Sequence, residues 1–110
     1  MREFKELHHN GDIDQLLEHQ LSFLYISRKG CSVCHSLLPQ VQYLMDQYPQ
    51  IELGHIDVHD VPEVAGRFSI FTVPVLILFV DGKEYLREAR IVQVNQFDEK
   101  VRKIYEGVLG

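Results

Sequence analysis

Residues 75–80 read Val-Leu-Ile-Leu-Phe-Val and run straight into Asp81-Gly82. Six apolar residues with no polar break describe a strand buried on both faces, since a strand with one wet face alternates. Such a strand needs a layer of helices on each side. Even extended back to Val73, the run is far too short to cross a bilayer. Asp-Gly is a strong tight-turn signal, so residues 83–92 should return as an antiparallel neighbour.

The rest of the chain supplies the layers. A short helix is predicted over 12–20, with Asp12 as its cap and Ile13, Leu16 and Leu17 on one face. Residues 21–27, LSFLYIS, read as a buried strand. From Cys31 the period changes: Val33, Leu37, Leu38, Val41, Leu44, Met45 and Tyr48 fall at helical spacing. This predicts a helix over 32–48, ended by Pro49 and kinked at Pro39, where a backbone hydrogen bond is lost. A strand over 51–58, a helix over 60–69 with Pro62 in its first turn, and a closing helix over 95–108 complete the pattern. A short strand near Phe4–Leu7 is a further candidate. The expected architecture is α/β, one domain over residues 1–110, with a central mixed sheet of four to five strands between helices.

Composition enters mainly by what it excludes. A chain of 110 residues can bury roughly 65% of its unfolded surface and does not need metal or disulfide staples to fold. The net charge of −5 and the lack of a basic stripe argue against nucleic acid as a partner. No membrane segment is expected. The opening MREFKELHHNGDIDQ has no apolar run that could serve as a signal peptide, which points to the cytoplasm. Thiols there are kept reduced and structural disulfides are rare.

The chain has two cysteines, both in Gly-Cys-Ser-Val-Cys-His at 30–35. Three residues apart, they cannot staple distant parts of a fold, so their use is chemical. Cys31 follows a strand and a turn and begins a helix, where free N–H groups and the helix dipole favour a thiolate. Arg28 and Lys29 add positive charge. Cys34 lies one turn on, within disulfide reach and deeper in the helix. This asymmetry suggests Cys31 as the attacking nucleophile and Cys34 as the resolving thiol. Two inert buried cysteines are the bland alternative.

Three markers then share one pattern: the Cys-x-x-Cys at a helix start, Pro39 five residues after Cys34, and Phe71-Thr72-Val73-Pro74 before an apolar strand and Asp-Gly. From about residue 20 to 106 the sequence resembles the thioredoxin family. The resemblance implies a cis Val73–Pro74 bond facing the cysteines, with the backbone of Val73 available to an extended substrate as an added strand. Phe71 would flank that groove, and Ile70 is expected to cap the core. It further implies thiol–disulfide exchange without a cofactor. Disulfide-containing proteins would be the substrates, and a reductase or small thiol the electron donor.

Departures from the family pattern are as informative. Gly30 replaces the usual Trp before the first cysteine, and Ser32-Val33 replace the usual Gly-Pro. Tyr25 stands where a buried acid is typical, Leu53 at the place of its lysine partner, and Arg90 at the place of a groove glycine. Slow resolution at Cys34 is therefore expected. His35 is a candidate proton carrier, since histidine titrates near neutrality.

Competing chemistries use the same letters. Cys-Ser-Val-Cys-His spells a c-type haem attachment site, but no export signal accompanies it. Zinc could be held by the Cys-x-x-Cys half-site with His35, or by the alternating His55, Asp57 and His59, although a closed site wants four ligands. A thioredoxin-like binding module with little redox turnover is the third alternative. The expectation adopted is a thioredoxin-type protein-disulfide reductase.

Overall fold

The computed structural model describes residues 1–110. In chain order the elements are β1 (Lys5–Glu6), α1 (Asn10–Leu16), β2 (Leu21–Ser27) and α2 (Ser32–Leu44), the last followed by a 3₁₀ turn (Met45–Gln47). Then come β3 (Glu52–Asp57), α3 (Glu63–Arg67), β4 (Val75–Val80), β5 (Lys83–Ala89) and α4 (Val94–Leu109). One five-stranded sheet has the order β1-β3-β2-β4-β5. β1 and β2 run parallel to β3, while β4 is antiparallel to both β2 and β5.

The apolar run of β4, and that of β2 apart from the buried Ser22 and Ser27, form two interleaved faces. Leu21, Phe23, Tyr25, Leu76, Leu78 and Val80 pack with Leu37, Val41, Phe97 and Val101 under α2 and α4. Leu24, Ile26, Val75, Ile77 and Phe79 point the other way, onto Ile13, Leu16 and Val64 of α1 and α3. Side chains alternate along a strand, so a strand between two helix layers is apolar at nearly every position.

Boundaries differ from the sequence reading at several ends: α2 stops at Leu44 and passes into the 3₁₀ turn, α3 covers 63–67 rather than 60–69, and two further differences have a visible cause. The first helix covers 10–16 rather than 12–20, because Asp12 occupies the third helical position, not the cap. Its carboxylate accepts from the backbone N–H of His8 at 2.8 Å and of His9 at 3.1 Å. Strand β5 stops at Ala89 instead of reaching residue 92. Arg90 turns into the left-handed region at φ 65°, and its N–H donates to the Pro74 carbonyl at 2.9 Å. The turn between β4 and β5 has positive φ at both Asp81 (51°) and Gly82 (79°), the geometry that Asp-Gly favours.

Candidate active site

The disulfide lies where a strand hands over to a helix. Strand β2 ends at Ser27, and the turn through Arg28 closes with the Cys31 N–H donating to the Arg28 carbonyl at 3.1 Å. Gly30 makes that turn at φ 83°, a conformation in which a side chain would be strained. Cys31 is the N-cap of α2, and its Sγ accepts from the Cys34 N–H at 3.1 Å. One of the N–H groups that a helix start leaves unpaired is therefore satisfied by this sulfur. Cys31 and Cys34 are joined as a disulfide with Cα atoms 5.3 Å apart. Cys31 is half-buried, whereas Cys34 is 1% exposed.

Outside the pair opens a groove of about 670 Å³. Its floor is Cys31, Ser32, Val73 and Pro74, and the Val73–Pro74 peptide bond is cis. Outside the helices and strands, neither the N–H nor the C=O of Val73 takes part in a backbone hydrogen bond. The walls are Val33, Phe71 and Ile91, exposed by 56%, 89% and 82%, with Arg28 and Arg90 beside them. Ile70 packs against the core, as the sequence suggested.

Beneath the pair lies the buried Tyr25, backed by a hydrogen-bonded chain that ends at the exposed Glu6. Tyr25, fully buried on β2, donates its hydroxyl to the Cys34 carbonyl at 2.6 Å. Burial pushes this phenol well above its ordinary range, so it stays neutral and is no base at physiological pH. The His55 ring lies tilted against the Tyr25 ring, with centroids 5.9 Å apart. Its Nδ1 sits 2.8 Å from both carboxylate oxygens of Glu6, and its Nε2 is 2.6 Å from Ser27 Oγ. A carboxylate only accepts, so Nδ1 donates to Glu6, and in the neutral imidazole Nε2 accepts from Ser27.

The structure thus brings Cys31, Phe71, Val73 and Pro74 to one groove. His35 is exposed on α2 and does not line it. Pro39 lies inside α2, which continues past it to Leu44. His55, Asp57 and His59 form no metal-binding cluster, and no group of three or more His, Cys, Asp or Glu gathers anywhere. Arg90 ends its strand and stands at the groove. Ile91 and the Ser27–His55–Glu6 chain had no local signal, because the β4–β5 hairpin delivers one and residues 28 and 49 apart in sequence make the other.

The thioredoxin family model matches residues 3–106. The chain belongs to the thioredoxin family. It is 54% identical over 106 residues to the thioredoxin-like protein YdfQ of Bacillus subtilis, covering 96% of this chain and 95% of that one. It is also 32% identical over 65 residues to thioredoxin-1 of Saccharomyces cerevisiae, spanning 59% of this chain and 60% of that relative. Among solved structures, a mutant thioredoxin from Halobacterium salinarum superposes with TM-score 0.84 at 19% identity, over 94% of this chain and 91% of that one. Fasciola hepatica thioredoxin gives 0.79 at 22% identity, over 90% and 98%. These two likenesses speak to the fold. Family membership with a Cys-x-x-Cys pair at bonding distance makes this thioredoxin-family chain a thiol–disulfide oxidoreductase of the disulfide-reductase type. Family members act on disulfide substrates and are themselves reset by a reductase. No helix is long and apolar enough to cross a membrane.

Proposed function

We propose that the chain reduces disulfides of other proteins in the cytoplasm, with Cys31 as nucleophile and Cys34 as resolving thiol. One observation carries the assignment: Cys31 lines the groove at the helix N-terminus, while Cys34 is sealed behind it. In the reduced protein, the Cys31 thiolate attacks one sulfur of a substrate disulfide. A Cys31–substrate bond forms, the substrate S–S bond breaks, and one substrate thiolate leaves and takes a proton from water. Cys34, losing its proton, then attacks Cys31 Sγ and releases the second substrate thiol. Two electrons have moved to the substrate, and the protein is left with the Cys31–Cys34 disulfide.

Val73, Pro74 and Phe71 form the substrate contact in this reading. An extended segment adds a strand to the free Val73 backbone, and its side chains meet Phe71 and Val33. The cytoplasm, where thiols are kept reduced, suits a dithiol that acts as a reductant. The electron donor is a reductase or a low-molecular-weight thiol.

Trapping tests the assignment. Reduced Cys34→Ser, mixed with disulfide-bearing proteins, should accumulate mixed disulfides through Cys31, and Cys31→Ser should accumulate none. If Cys34→Ser captures nothing while the groove still binds proteins without covalent bonds, the chain is a binding module instead.

A further inference from the structure

The chain has six arginines, and four have partners for their guanidinium groups. Arg2 donates to the Tyr48 carbonyl at 2.7 Å, and Arg67, Arg87 and Arg102 are ion-paired with Asp14, Glu84 and Asp98. The other two, Arg28 and Arg90, enter none of the six ion pairs of the structure. Both line the groove over Cys31, and they are the only charged side chains among its lining residues. In a chain with sixteen acidic residues and a net charge of −5, two unneutralised cations at one opening form a local reversal of sign.

The same groove gathers three of the six large apolar side chains that the surface exposes: Val33, Phe71 and Ile91. Arg90 is also held in the left-handed region, which disfavours a residue with a side chain, and its N–H is tied to the Pro74 carbonyl. A bulky cation is thus fixed beside the cis-proline turn, in a backbone conformation glycine would adopt more easily.

We propose that the groove selects acidic disulfide-bearing protein segments: extended chain whose cystine is flanked by Asp or Glu, with an apolar residue set on Phe71 and Ile91. Charge complementarity picks this occupant. The two cations attract carboxylates, and a basic segment would meet Arg28 and Arg90 unshielded. The selection rests on the reductase reading above and names the substrate class that reading leaves open.

The test uses full-length protein, pre-reduced with dithiothreitol and desalted, in single turnover, so no electron donor is needed. Three synthetic peptides each carry one disulfide to a short reporter thiol and differ only in the two residues flanking the cystine: Glu, Gln or Lys. Each rate constant is divided by that of dithiothreitol on the same peptide, which removes intrinsic differences in reactivity. At low ionic strength the normalised Glu-to-Gln ratio should be about five, the product of two exposed charge pairs each giving roughly twofold to threefold. The Lys peptide should fall below Gln. In 0.5 M salt the ratio should drop below about two, as screening shortens the reach of exposed charges.

Arg28→Gln with Arg90→Gln should bring the ratio to about one, whereas Arg28→Lys with Arg90→Lys should keep most of it, because charge is the discriminant. A wild-type ratio near one at low salt overturns the proposal, as does a preference that survives the Gln pair. In either case, reduction of all three peptides leaves the reductase reading standing. If none of the three is reduced, the reductase reading fails and this inference falls with it.

Discussion

On its outer side the Cys31–Cys34 disulfide faces an open groove of exposed apolar side chains, free backbone and two unpaired arginines. On its inner side it rests on the buried Tyr25 hydroxyl, backed by His55 and Glu6. The outer side keeps the family's parts: a cysteine at a helix start and a cis X-Pro turn opposite. The inner side holds a neutral phenol, where the sequence resemblance implies an acid. In the proposed reaction the outer side serves the attack by Cys31. The resolving step at Cys34 has a neutral phenol beside it, which takes no proton.

The contrast should be largest in stability. Tyr25→Ala removes a fully buried ring and its hydrogen bond and should cost about 3–5 kcal/mol in urea unfolding of the oxidised protein. Phe71→Ala, at a side chain 89% exposed, should change stability by less than about 0.5 kcal/mol. Tyr25→Phe isolates the hydroxyl and should cost about 1 kcal/mol near neutral pH. Its pH dependence follows in sign. Burial raises the Tyr25 pKa in the folded state, so its contribution is present below the unfolded value of about 10 and fades as pH rises past it. Tyr25→Phe should flatten part of that alkaline loss. Equal costs for Tyr25→Ala and Phe71→Ala would erase the distinction between the two sides.

Next in size is the kinetics of resolution. With a neutral phenol under Cys34, the decay of a Cys31 mixed disulfide should track the fraction of Cys34 present as thiolate. Between pH 6 and 8 that fraction rises about tenfold per unit while the thiol is mainly protonated, roughly a hundredfold in all. Stopped-flow release of the second substrate thiol reads this slope. A plateau near neutrality would mean a base does act, and its loss in His35→Ala would identify that base as the exposed histidine beside Cys34.

How much of this was legible in the sequence follows the same division. The helix-start cysteines, Pro39, the Phe71–Pro74 segment and Asp81-Gly82 are local signals, each fixed by what a few adjacent residues can do, and they mark the outer side and the layers. The substitution at Tyr25 was visible as a departure from the family pattern, but its hydrogen bond to the Cys34 carbonyl was not. Ser27, His55 and Glu6 come from three strands, and no spacing rule links them. Which arginines are free was equally hidden, because pairing is decided by distant partners: Arg67 meets Asp14 across 53 residues. The end of β5 escaped for another reason. Strand pattern continues through Ile91 and Val92, but the partner strand β4 begins only at Val75, and Arg90, bonded to the Pro74 carbonyl, turns away there.

Arg90 also supplies the smallest and sharpest comparison, between the groove rim and the turns made by glycine. Gly30 and Gly82 hold positive φ at little strain, while Arg90 holds φ 65° with a full side chain. Left-handed backbone costs an L-residue about 1–2 kcal/mol, and glycine gives back roughly 0.5–1 kcal/mol of that by losing more freedom on folding. Arg90→Gly should therefore stabilise the protein by about 0.5 kcal/mol, read as a shift in urea midpoint at constant slope. The same substitution removes one of the two cations at the groove, so the acidic-peptide preference should fall by about half. A gain in stability with a loss of selectivity would mean the rim holds a strained residue for what it recognises. Stability lost together with selectivity would instead make Arg90 part of the framework, its side chain holding the cis-proline turn in place.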